Sequence, residues 1–400
     1  MSSKNKKALL VTRVSGFVPQ FEMNNVKILQ EMGYEVHYAS NFDTIVYGND
    51  NSRLEGTGII CHQIDFERSP FSKNVKIAYK QLKKLMLDEK YDFIHCHMPM
   101  SGVLARAAAQ KVRKETGRNV PVIYTAHGLH FYTGAPIKNW VYYPIERYLA
   151  RYTDRLILIN EEDYKRASRF PVRGKVERTM GIGMNLSKYK KYDENPKEKS
   201  KRTIYERFGI CNNDDIIVSV GELSKRKNHI CIIEAMALLK DMNISYLVCG
   251  TGAMEQQLRK KAEELGVEKQ VIFAGYVKDV PDVLDECDCF VFPSFQEGLP
   301  VAVMEAMAVG LPVIASDIRG VRELVIHAKG GYLVNGHDSE DYAVKIRRMF
   351  TEKYGKSAVP RNERRRQMGG FNMERVKDFS IEIVENKMRN IYKEIDADIK

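Results

Sequence analysis

The sequence lacks any long hydrophobic run. Its 400 residues contain no apolar stretch near the roughly 18 residues that a membrane-spanning helix needs. The basic start Lys4-Asn-Lys-Lys7 leads only into the short apolar stretch from Ala8 to Val11 before Arg13 interrupts, so we expect neither an export signal nor a transmembrane helix. The seven cysteines are scattered and odd in number, which favours reduced, buried thiols over a disulfide framework. These absences predict a cytoplasmic protein.

Sequence patterns for metal or nucleic-acid binding are also scarce. There is no zinc-finger spacing and no obvious nucleic-acid reading motif. An Asp-x-Asp pattern occurs at Asp396-Ala-Asp398, close to the end of the chain and outside the predicted cores. His95 and His97 have the spacing of metal ligands, but no acidic third ligand is evident near them, so we interpret them as pocket wall. We therefore expect no metal, no cofactor and no nucleic-acid partner.

The excess of basic over acidic residues is confined to the first half of the chain. Residues 1–190 carry 30 Lys and Arg against 18 Asp and Glu, a net charge of +12, whereas residues 191–400 carry 33 against 34, a net charge of −1. A basic half beside a neutral one indicates that one domain meets an anionic surface. Since no nucleic-acid motif is present, we expect that surface to be membrane lipid, with the protein peripheral on the inner face of the cell membrane.

Strand and helix patterns alternate along the whole chain, which is typical of α/β domains. An amphipathic helix is predicted from Phe21 to Met32, before Gly33. Strands are predicted at 7–14, 34–40, 58–64, 91–95, 120–125, 155–160 and 176–180, and again at 216–220, 246–249, 271–274, 289–293 and 312–315. Helices are predicted in the second half at 228–240, 254–265, 280–286, 301–309 and 320–326.

These patterns predict two Rossmann-like domains facing a central cleft. The polar stretch 187–202 is typical of a connector, so we place the first domain at 1–190 and the second at 191–375. A long helical pattern runs to the C-terminus after the charged stretch 361–366, and we expect the helix at about 375–400 to pack back on the first domain. A cleft between two such domains suits a reaction with two substrates.

Two carboxylates bracket a Gly-Leu-Pro turn in Glu297-Gly-Leu-Pro-Val-Ala-Val-Met-Glu305. The preceding segment 288–294 has the pattern of a buried parallel strand, and 301–309 has the pattern of a helix that stops at Gly310. Ligands of open α/β sheets bind where strand ends meet helix starts, and a carboxylate accepts from two adjacent hydroxyl groups. The pair therefore indicates a sugar or ribose site, although two unrelated surface acids would give the same spacing.

With these residues in view, the chain resembles the GT-B-fold retaining glycosyltransferases of family 4, within them the bacterial branch that builds capsular polysaccharides and exopolysaccharides. The resemblance covers nearly the whole chain. Its motifs in the second half are Val220-Gly-Glu-Leu223 with Lys227-Asn-His229, Val248-Cys-Gly-Thr-Gly252, Phe273-Ala-Gly275, Pro293-Ser294, the Glu297/Glu305 pair, Ala315-Ser-Asp317 and Gly320-Val-Arg-Glu323. Gly250-Thr-Gly252 alone lacks the third glycine of a dinucleotide fingerprint.

The resemblance implies a donor site for a UDP-sugar. It implies that Glu305 accepts from the ribose hydroxyls, that Glu297, in the turn formed with Gly298, Leu299 and Pro300, accepts from the sugar, and that Lys227 holds the diphosphate. A compact ammonium on a loop after a strand suits a diphosphate, although a run of three basic residues is also an ordinary surface feature. The family usually has an arginine at the position of Glu222, so the second cation must come from elsewhere, and Arg226 is the nearest candidate.

Three further positions follow from the same resemblance. The backbone around Val277 corresponds to the uracil-binding segment, unless its side chain merely packs. Gly16, in the first strand-to-helix loop, would let the backbone approach phosphate, or it is a plain turn glycine. His127, at a strand end, corresponds to a family histidine that contacts the donor sugar near the reacting centre.

Features of the acceptor side lie in the first half. Lys73, Lys76, Lys80, Lys83 and Lys84 recur at helical spacing, as they would on a helix docked on anionic lipid or on a solvated helix face. Aromatic and basic residues then follow His127 and either line an acceptor groove or pack in the core; they are Phe131, Tyr132, Lys138, Trp140, Tyr142, Tyr143, Arg147 and Arg151.

Together these features predict a retaining, metal-independent transferase that moves a hexose or N-acetylhexosamine from a UDP-sugar to a lipid-linked, polyprenyl diphosphate saccharide. Two alternatives are a GT-B-fold UDP-sugar epimerase and a non-catalytic sugar-nucleotide-binding subunit of a polysaccharide assembly. The donor sugar, the acceptor and the linkage are not specified by the sequence.

Overall fold

The structure is a computed structural model that describes residues 6–48, 50–189, 203–211, 214–351 and 361–399. The chain folds into two compact units. Unit 1 comprises Met1–Gly183 and Ile381–Lys400, and unit 2 comprises Met184–Ser380. Most of the predicted connector at 187–202 lies outside the described residues.

The core of unit 1 is a seven-stranded parallel sheet in the order β3-β2-β1-β4-β5-β6-β7. Its strands are β1 (Lys6–Val14), β2 (Tyr34–Asn41), β3 (Ile60–Gln63), β4 (Phe93–His97), β5 (Val122–Ala126), β6 (Arg155–Leu158) and β7 (Lys175–Arg178). The central strands β4, β5 and β6 are buried along their whole length, as expected for a parallel sheet covered on both faces.

Helices cover both faces of this sheet. They are α1 (Phe17–Phe21), α2 (Met23–Glu31), α3 (Asn74–Glu89), α4 (Pro99–Thr116), α5 (Tyr142–Leu149), α6 (Glu161–Ala167) and, after unit 2, the last helix of the chain, α15 (Ile381–Ile399). Helix α15 packs on α2 and adds Val384, Met388 and Ile391 to the core of that face. Helices α3 and α4 pack together on the opposite face.

Unit 2 repeats the arrangement with a six-stranded parallel sheet in the order β10-β9-β8-β11-β12-β13. Its strands are β8 (Asp215–Val220), β9 (Ile244–Cys249), β10 (Val271–Gly275), β11 (Cys289–Phe292), β12 (Val313–Ser316) and β13 (Gly331–Val334). Its helices are α7 (Thr203–Phe208), α8 (His229–Ala237), α9 (Glu255–Glu264), α10 (Val280–Asp285), α11 (Val301–Ala308), α12 (Val321–Leu324), α13 (Ser339–Thr351) and α14 (Arg361–Val376).

The observed elements match the α/β prediction, except that helices α7 and α13 were not predicted and that β13 and the first helix need correction. Strand β13 was not predicted, because Gly330 and Gly331 directly before its apolar residues are typical of a turn. The helix predicted from Phe21 to Met32 begins at Met23, as α2. Glu22, whose backbone angles (φ −121°, ψ 5°) are not helical, separates it from the preceding short helix α1, which was not predicted. Apolar periodicity continues across this break, so the pattern alone gave no sign of it.

The strand orders define where ligands are expected to bind in each unit. In unit 1 the order reverses between β1 and β4, and in unit 2 it reverses between β8 and β11. In open α/β sheets, ligands bind in the crevice beyond the carboxyl ends of the strands at such a reversal. In the described part of the chain, no helix is both long and apolar enough to cross a membrane.

Candidate active site

In unit 2, the segments that follow β8 and β9 are joined by backbone hydrogen bonds beyond the ends of the strands. Gly221 N–H donates to the Cys249 carbonyl over 2.9 Å, and Leu223 N–H donates to the Thr251 carbonyl over 2.9 Å. A Cβ on Gly250 would lie 1.9 Å from the Gly221 oxygen, so any side chain there would force the two loops apart. The Gly-x-Gly pattern at this strand end therefore has a packing explanation that requires no dinucleotide.

The loop after β8 brings Arg226 and Lys227 to one carboxylate. Glu297, in the loop after the adjacent strand β11, has its Oε1 atom 3.0 Å from Lys227 Nζ and 2.5 Å from Arg226 Nη1. Arg226 also donates to the Gln296 carbonyl over 3.2 Å. The Lys227 side chain runs along Gly221, with Cε 3.2 Å from where a Cβ would stand, and its ammonium lies 4.5 Å from the centre of the Phe292 ring.

The electrostatic balance of this cluster leaves an excess of positive charge. Lys227 and Glu297 are largely buried, whereas Arg226 is exposed. Burial lowers the pKa of the Lys227 ammonium, and the neighbouring Glu297 carboxylate acts in the opposite direction. Two cations that share one carboxylate retain a surplus charge, so the cluster can accept a further anion.

Several buried polar atoms in the same loops have no hydrogen-bond partner among the described residues. They are Ser224 Oγ, His229 Nε2 and Ser294 Oγ. His229 Nδ1 is 3.0 Å from the hydroxyl of Tyr246, and burial together with the nearby Lys227 charge lowers the pKa of the His229 ring to about 4. The two serine hydroxyls lie in the loops beyond β8 and β11 and His229 lies at the start of α8, so these atoms are available to water or to a polar ligand.

The second carboxylate of the motif, Glu305, lies within α11 and is largely buried. The hydroxyl of Tyr189 donates to its Oε1 over 3.3 Å. Burial raises the pKa of the Glu305 carboxyl, and the Tyr189 hydrogen bond partly opposes that shift. Its helix neighbours Met304 and Ala306 are buried in the core, so the helix itself is firmly held.

The Gly-Leu-Pro turn between the two carboxylates is tightly packed. The Gly298 carbonyl approaches Gly320, where a Cβ would lie 1.9 Å from its oxygen. Leu299 is buried and Pro300 directly precedes α11. Because Arg319 Nε also donates to the Glu297 carbonyl over 3.3 Å, the backbone that carries Glu297 is fixed from both sides.

The other predicted positions of unit 2 lie nearby along the chain. Val277 follows β10 and is buried, whereas its neighbour Tyr276 is exposed. The buried Val277 side chain fits the packing alternative, which leaves the backbone of this segment for a ligand. Glu222 is exposed in the loop after β8 and adds to the negative field that acts on Lys227.

A second polar cluster lies in unit 1, at the reversal between β1 and β4. His97, at the end of β4, has its Nδ1 3.2 Å from Nε2 of His127, which follows β5. The Oε1 atom of Glu22 lies 3.4 Å from His97 Nδ1 and 3.8 Å from His127 Nε2. The Phe17 ring covers both imidazoles, with ring centres 5.5 Å and 5.1 Å away.

This cluster consists of buried groups with shifted pKa values. Burial raises the pKa of the Glu22 carboxyl to about 8 and lowers the pKa of the His127 ring to about 4. The pKa of His97 is lowered well below its usual value, by burial first and then by the neighbouring His95 and His127. All three groups are therefore held in their uncharged forms at neutral pH.

Gly16 lies in the loop after β1, next to this cluster. A Cβ on Gly16 would lie 1.8 Å from the Val46 carbonyl oxygen, so the close packing of the two loops requires glycine. The following residue, Phe17, starts α1 and contacts His127. The structure thus gives Gly16 a packing role, which neither alternative for this position had included.

Sequence reasoning identified most of these residues but not Glu22. Arg226, Lys227 and Glu297 are brought together in unit 2, and His127 lies in a polar cluster in unit 1. The expectation that His97 has no acidic neighbour is wrong, because the break between α1 and α2 brings Glu22 to it. Glu22 was missed because it lay within the predicted helix, whose pattern gave no sign that this carboxylate would contact the histidines.

Comparison with known proteins connects both units to one activity. The family described as "Glycosyl transferases group 1" matches residues 200–369, and "Glycosyl transferase 4-like" matches residues 7–160. A Bacillus subtilis (strain 168) protein named as glycosyltransferase EpsD is 38% identical over 349 residues, which cover 86% of this chain and 87% of that relative.

A more distant relative and a solved structure agree with this assignment. The Escherichia coli protein named UDP-Gal:alpha-D-GlcNAc-diphosphoundecaprenol alpha-1,3-galactosyltransferase is 29% identical over 356 residues, with 85% of this chain and 87% of that protein covered. The structure of Anabaena Alr3699/HepE in complex with UDP and glucose shares the fold, with a TM-score of 0.74 and 18% identity over 97% of this chain and 100% of that one. The protein therefore belongs to the group 1 glycosyltransferases of the GT-B fold and resembles their capsular and exopolysaccharide branch.

Proposed function

We propose that this glycosyltransferase moves a hexose or N-acetylhexosamine, with retention of anomeric configuration, from a UDP-sugar to a lipid-linked diphosphate saccharide in cell-surface polysaccharide synthesis. The observation that carries the proposal is the cluster of Arg226 and Lys227 on the single carboxylate of Glu297, beyond the strand-order reversal of unit 2.

The surplus charge of this cluster suits a diphosphate. The incoming phosphate groups would take Lys227 and Arg226 as partners and release Glu297 from one or both cations. As the bond between the sugar and UDP breaks, negative charge grows on the leaving diphosphate, and cations already positioned there stabilise the transition state more than the ground state. Arg226 then supplies the second cation that Glu222 cannot, and the donor diphosphate needs no metal ion.

The two carboxylates would bind the hydroxyl-bearing parts of the donor. A buried carboxylate that accepts from two adjacent hydroxyls makes charge-assisted hydrogen bonds, which are roughly twice as strong as neutral ones. Glu305 has one such donor already, the Tyr189 hydroxyl, and we assign the ribose to it. We assign the transferred sugar to Glu297, the uracil ring to the backbone around Val277, and a contact to the transferred sugar to His127.

A lipid-linked acceptor is supported by two findings. The Escherichia coli relative is named for a diphosphoundecaprenol-linked acceptor. In unit 1, the segment 137–148 exposes large apolar side chains, among them Ile137 at 91%, Val141 at 58% and Tyr148 at 53% exposure, interleaved with the exposed cations Lys138 and Arg147. We refer to residues 137–148 as the apolar segment.

Unit 1 also carries exposed cations on a helix that shares a packing neighbour with the apolar segment. Helix α4 contacts both α5, which carries most of the segment, and α3, whose Lys76, Lys80 and Lys84 are exposed. Apolar side chains next to a basic helix suit the headgroup region of an anionic bilayer, where each cation contributes roughly 1 kcal/mol near the surface. We therefore propose that this part of unit 1 binds the inner leaflet of the cell membrane, where lipid-linked acceptors lie.

The transfer proposal can be tested with purified protein, a panel of UDP-sugars and lipid extract, with the products followed by mass spectrometry. We expect one donor to be used and one hexose or N-acetylhexosamine to be added to a lipid-linked saccharide, with NMR of the product showing the donor's anomeric configuration. A protein that binds UDP but neither hydrolyses nor transfers from any UDP-sugar would instead be a sugar-nucleotide-binding subunit. Interconversion of UDP-sugars without acceptor would identify an epimerase.

Vesicle flotation tests the membrane proposal separately. The wild type should float with vesicles that contain anionic phospholipid and remain unbound with purely zwitterionic ones. Ile137→Ser/Val141→Ser should reduce flotation strongly, while Val344→Ser, a matched change at an exposed apolar residue of unit 2, should leave it unchanged. Equal flotation of the wild type and the double variant would rule out the apolar segment as the docking surface.

A further inference from the structure

Two arginines of unit 1 come together where β1, β2 and β3 end. These strands are adjacent in the sheet, so the segments beyond their carboxyl ends lie side by side. Val14 pairs with Asn41 in the sheet register, and Asn41 Nδ2 donates to the Phe66 carbonyl over 3.1 Å. Arg13 directly precedes Val14, and Arg68 follows two residues after Phe66. The two arginines therefore flank Asn41 at one edge of the sheet.

Strand β1 is irregular at the position of Arg13. The register of its pairing with β2 shifts between Val11 and Val14. Irregularities of this kind re-aim side chains and are common next to active sites. Within the described part of the chain, the side chains of Arg13 and Arg68 have neither a hydrogen bond nor an ion pair. Arg13 is half-buried, and charges removed from water are normally paired, so this guanidinium group is available to an anion.

The two cations also act on each other. Burial lowers the pKa of the Arg13 guanidinium and the charge of Arg68 lowers it further, whereas Tyr47 and Glu67 act in the opposite direction. Glu67 is held by another residue, because Asn74 Nδ2 donates to its Oε1 over 3.1 Å. An anion between Arg13 and Arg68 would replace their repulsion by two charge-assisted contacts.

Tyr47, in the loop after β2, has a strained backbone conformation beside this pair. Its φ is +68°, which a bulky residue seldom adopts. The Arg53 guanidinium donates to the Tyr47 carbonyl, and the Tyr47 ring packs edge-on against Phe21, with ring centres 5.0 Å apart. About half of Tyr47 remains exposed. Backbone strain of this kind is concentrated at active sites and ligand clamps, so the exposed ring and hydroxyl of Tyr47 suit contact with a ligand.

We propose that Arg13, Arg68 and Tyr47 bind the diphosphate of the lipid-linked acceptor. This inference rests on the proposed transfer to such an acceptor and names the part of unit 1 that holds its charged group. The planar guanidinium group presents paired donors that match phosphate oxygens, and the Tyr47 hydroxyl adds a neutral donor.

The position of this site in the sheet suits a diphosphate that carries a saccharide. Strands β1 and β5 are separated only by β4, which puts their ends about 10 Å apart. Arg13 lies near the end of β1, and His127, proposed above to contact the transferred sugar, follows β5. One or two sugar residues span such a distance. The acceptor saccharide would then extend towards the transferred sugar while its diphosphate stays on the arginines.

The test is calorimetric titration of the full-length protein with farnesyl diphosphate, a soluble isoprenyl diphosphate. Saturating UDP is present throughout to occupy the Glu297 cluster of unit 2. We expect one binding site for farnesyl diphosphate in the wild type. Affinity should fall as salt rises, because both proposed cations are partly open to solvent.

Substitutions locate that binding site. Arg13→Gln should weaken farnesyl diphosphate binding by about 10- to 100-fold, as expected for the loss of a hydrogen bond between charged groups. Arg68→Gln should weaken it by a few-fold, since Arg68 is exposed and its substitution leaves the fold intact. Tyr47→Phe keeps the ring and should also cost a few-fold. Arg169→Gln, at an exposed arginine beyond the end of α6 and at the opposite edge of the sheet, should bind as the wild type.

Two further measurements separate the possible sources of phosphate. Inorganic pyrophosphate should compete with farnesyl diphosphate in the wild type. Arg13→Gln/Arg68→Gln should float with vesicles that contain anionic phospholipid as the wild type does. Lost flotation with retained binding of farnesyl diphosphate would assign the two arginines to phospholipid headgroups and overturn the proposal.

Transfer kinetics separate this site from the proposed function. Arg13→Gln/Arg68→Gln should raise the KM for the lipid-linked acceptor by about 100-fold and leave UDP affinity unchanged. An unchanged acceptor KM, or a wild type that binds no farnesyl diphosphate, overturns the diphosphate site and leaves the transfer proposal standing. A wild type that binds farnesyl diphosphate through Arg13 but transfers from no UDP-sugar would support the site and overturn the transfer proposal instead.

Discussion

Units 1 and 2 use the same sheet architecture to build two electrostatically different sites, one of uncharged groups and one of ion-paired groups. In unit 1 the strand-order reversal is surrounded by Glu22, His97 and His127, which burial keeps uncharged. In unit 2 it is surrounded by Arg226, Lys227 and Glu297, which form ion pairs. The fold determines where a ligand binds, and the residues after each strand determine what kind of ligand it is.

Under the proposed function, this difference divides the reaction chemically. A site with surplus positive charge favours the anionic UDP part of the donor, and its affinity should fall as salt rises. A pocket of uncharged groups favours neutral hydroxyls, which both the transferred sugar and an acceptor saccharide carry. Five substitutions, at Lys227, His127, Glu305, His229 and Glu222, test whether the two sites differ in this way.

The largest effect is expected for Lys227→Ala. Loss of one preorganised electrostatic contact to a leaving group typically costs about 100- to 1,000-fold in turnover, and we expect a loss of that order here. The measurements are steady-state transfer and calorimetric binding of UDP. Lys225→Ala removes a neighbouring exposed lysine from the same loop and should leave both unchanged.

His127→Asn provides the comparison for Lys227→Ala, because it changes the unit 1 cluster and leaves the cations of unit 2 in place. It should slow transfer but leave UDP affinity as in the wild type. If Lys227→Ala and His127→Asn weakened UDP binding equally, the two units would not divide the donor as proposed.

The next effect concerns the ribose. Glu305→Ala should weaken UDP binding by about 10- to 100-fold, since a hydrogen bond to a charged group contributes roughly 1.5–3 kcal/mol. Tyr189→Phe keeps the ring but removes the donor to Glu305, and it should change UDP affinity only a few-fold. Unchanged UDP affinity and turnover in Glu305→Ala would show that the ribose assignment is wrong. Comparing UDP with an analogue of UDP that lacks the ribose 2′- and 3′-hydroxyls would locate the loss at the ribose.

The Glu297 and Glu305 pair shows how much of the candidate site could be predicted from the sequence. A short apolar run and a helical pattern were enough to place Glu297 after a buried strand and Glu305 in the following helix. Their roles came only from the resemblance to the family. The sequence patterns could not show that Arg226 and Lys227 share Glu297, because that contact joins residues 70 positions apart across two adjacent strands. The sequence patterns also did not single out Glu22, because a local break in the backbone leaves the helical period of the apolar residues unchanged.

A pH effect on stability distinguishes the buried histidine of unit 2. The pKa of His229 is about 4 in the folded protein and about 6.5 when exposed in the unfolded chain, so the unfolded state takes up a proton first as pH falls. The stabilisation from neutral His229 is thus present above pH 6.5 and is lost as pH falls towards 4. Between pH 7 and pH 5 the loss is about 2 kcal/mol.

Urea unfolding of the wild type and His229→Asn at pH 7 and pH 5 measures this contribution. The wild type should lose more stability than the variant over that interval, and His327→Asn, which removes an exposed imidazole, should behave as the wild type. Identical pH dependence in all three proteins would mean that His229 titrates as it does in water, and that its unpartnered Nε2 is reached by solvent rather than held for a ligand.

The smallest effect is expected at Glu222, where this chain departs from the arginine usual in the family. Its carboxylate is exposed and contributes negative potential at Lys227, so Glu222→Arg reverses that contribution without breaking an ion pair of the Glu297 cluster. Exposed charge changes shift binding by a few-fold at most, and we expect UDP affinity to stay equal or to rise about two- to five-fold, less so at high salt. Glu222→Gln should lie between the two. A tenfold loss of UDP affinity in Glu222→Arg would instead mean that Glu222 itself binds the donor. The carboxylate of Glu222 would then offset part of the positive charge of unit 2 from outside the Glu297 cluster.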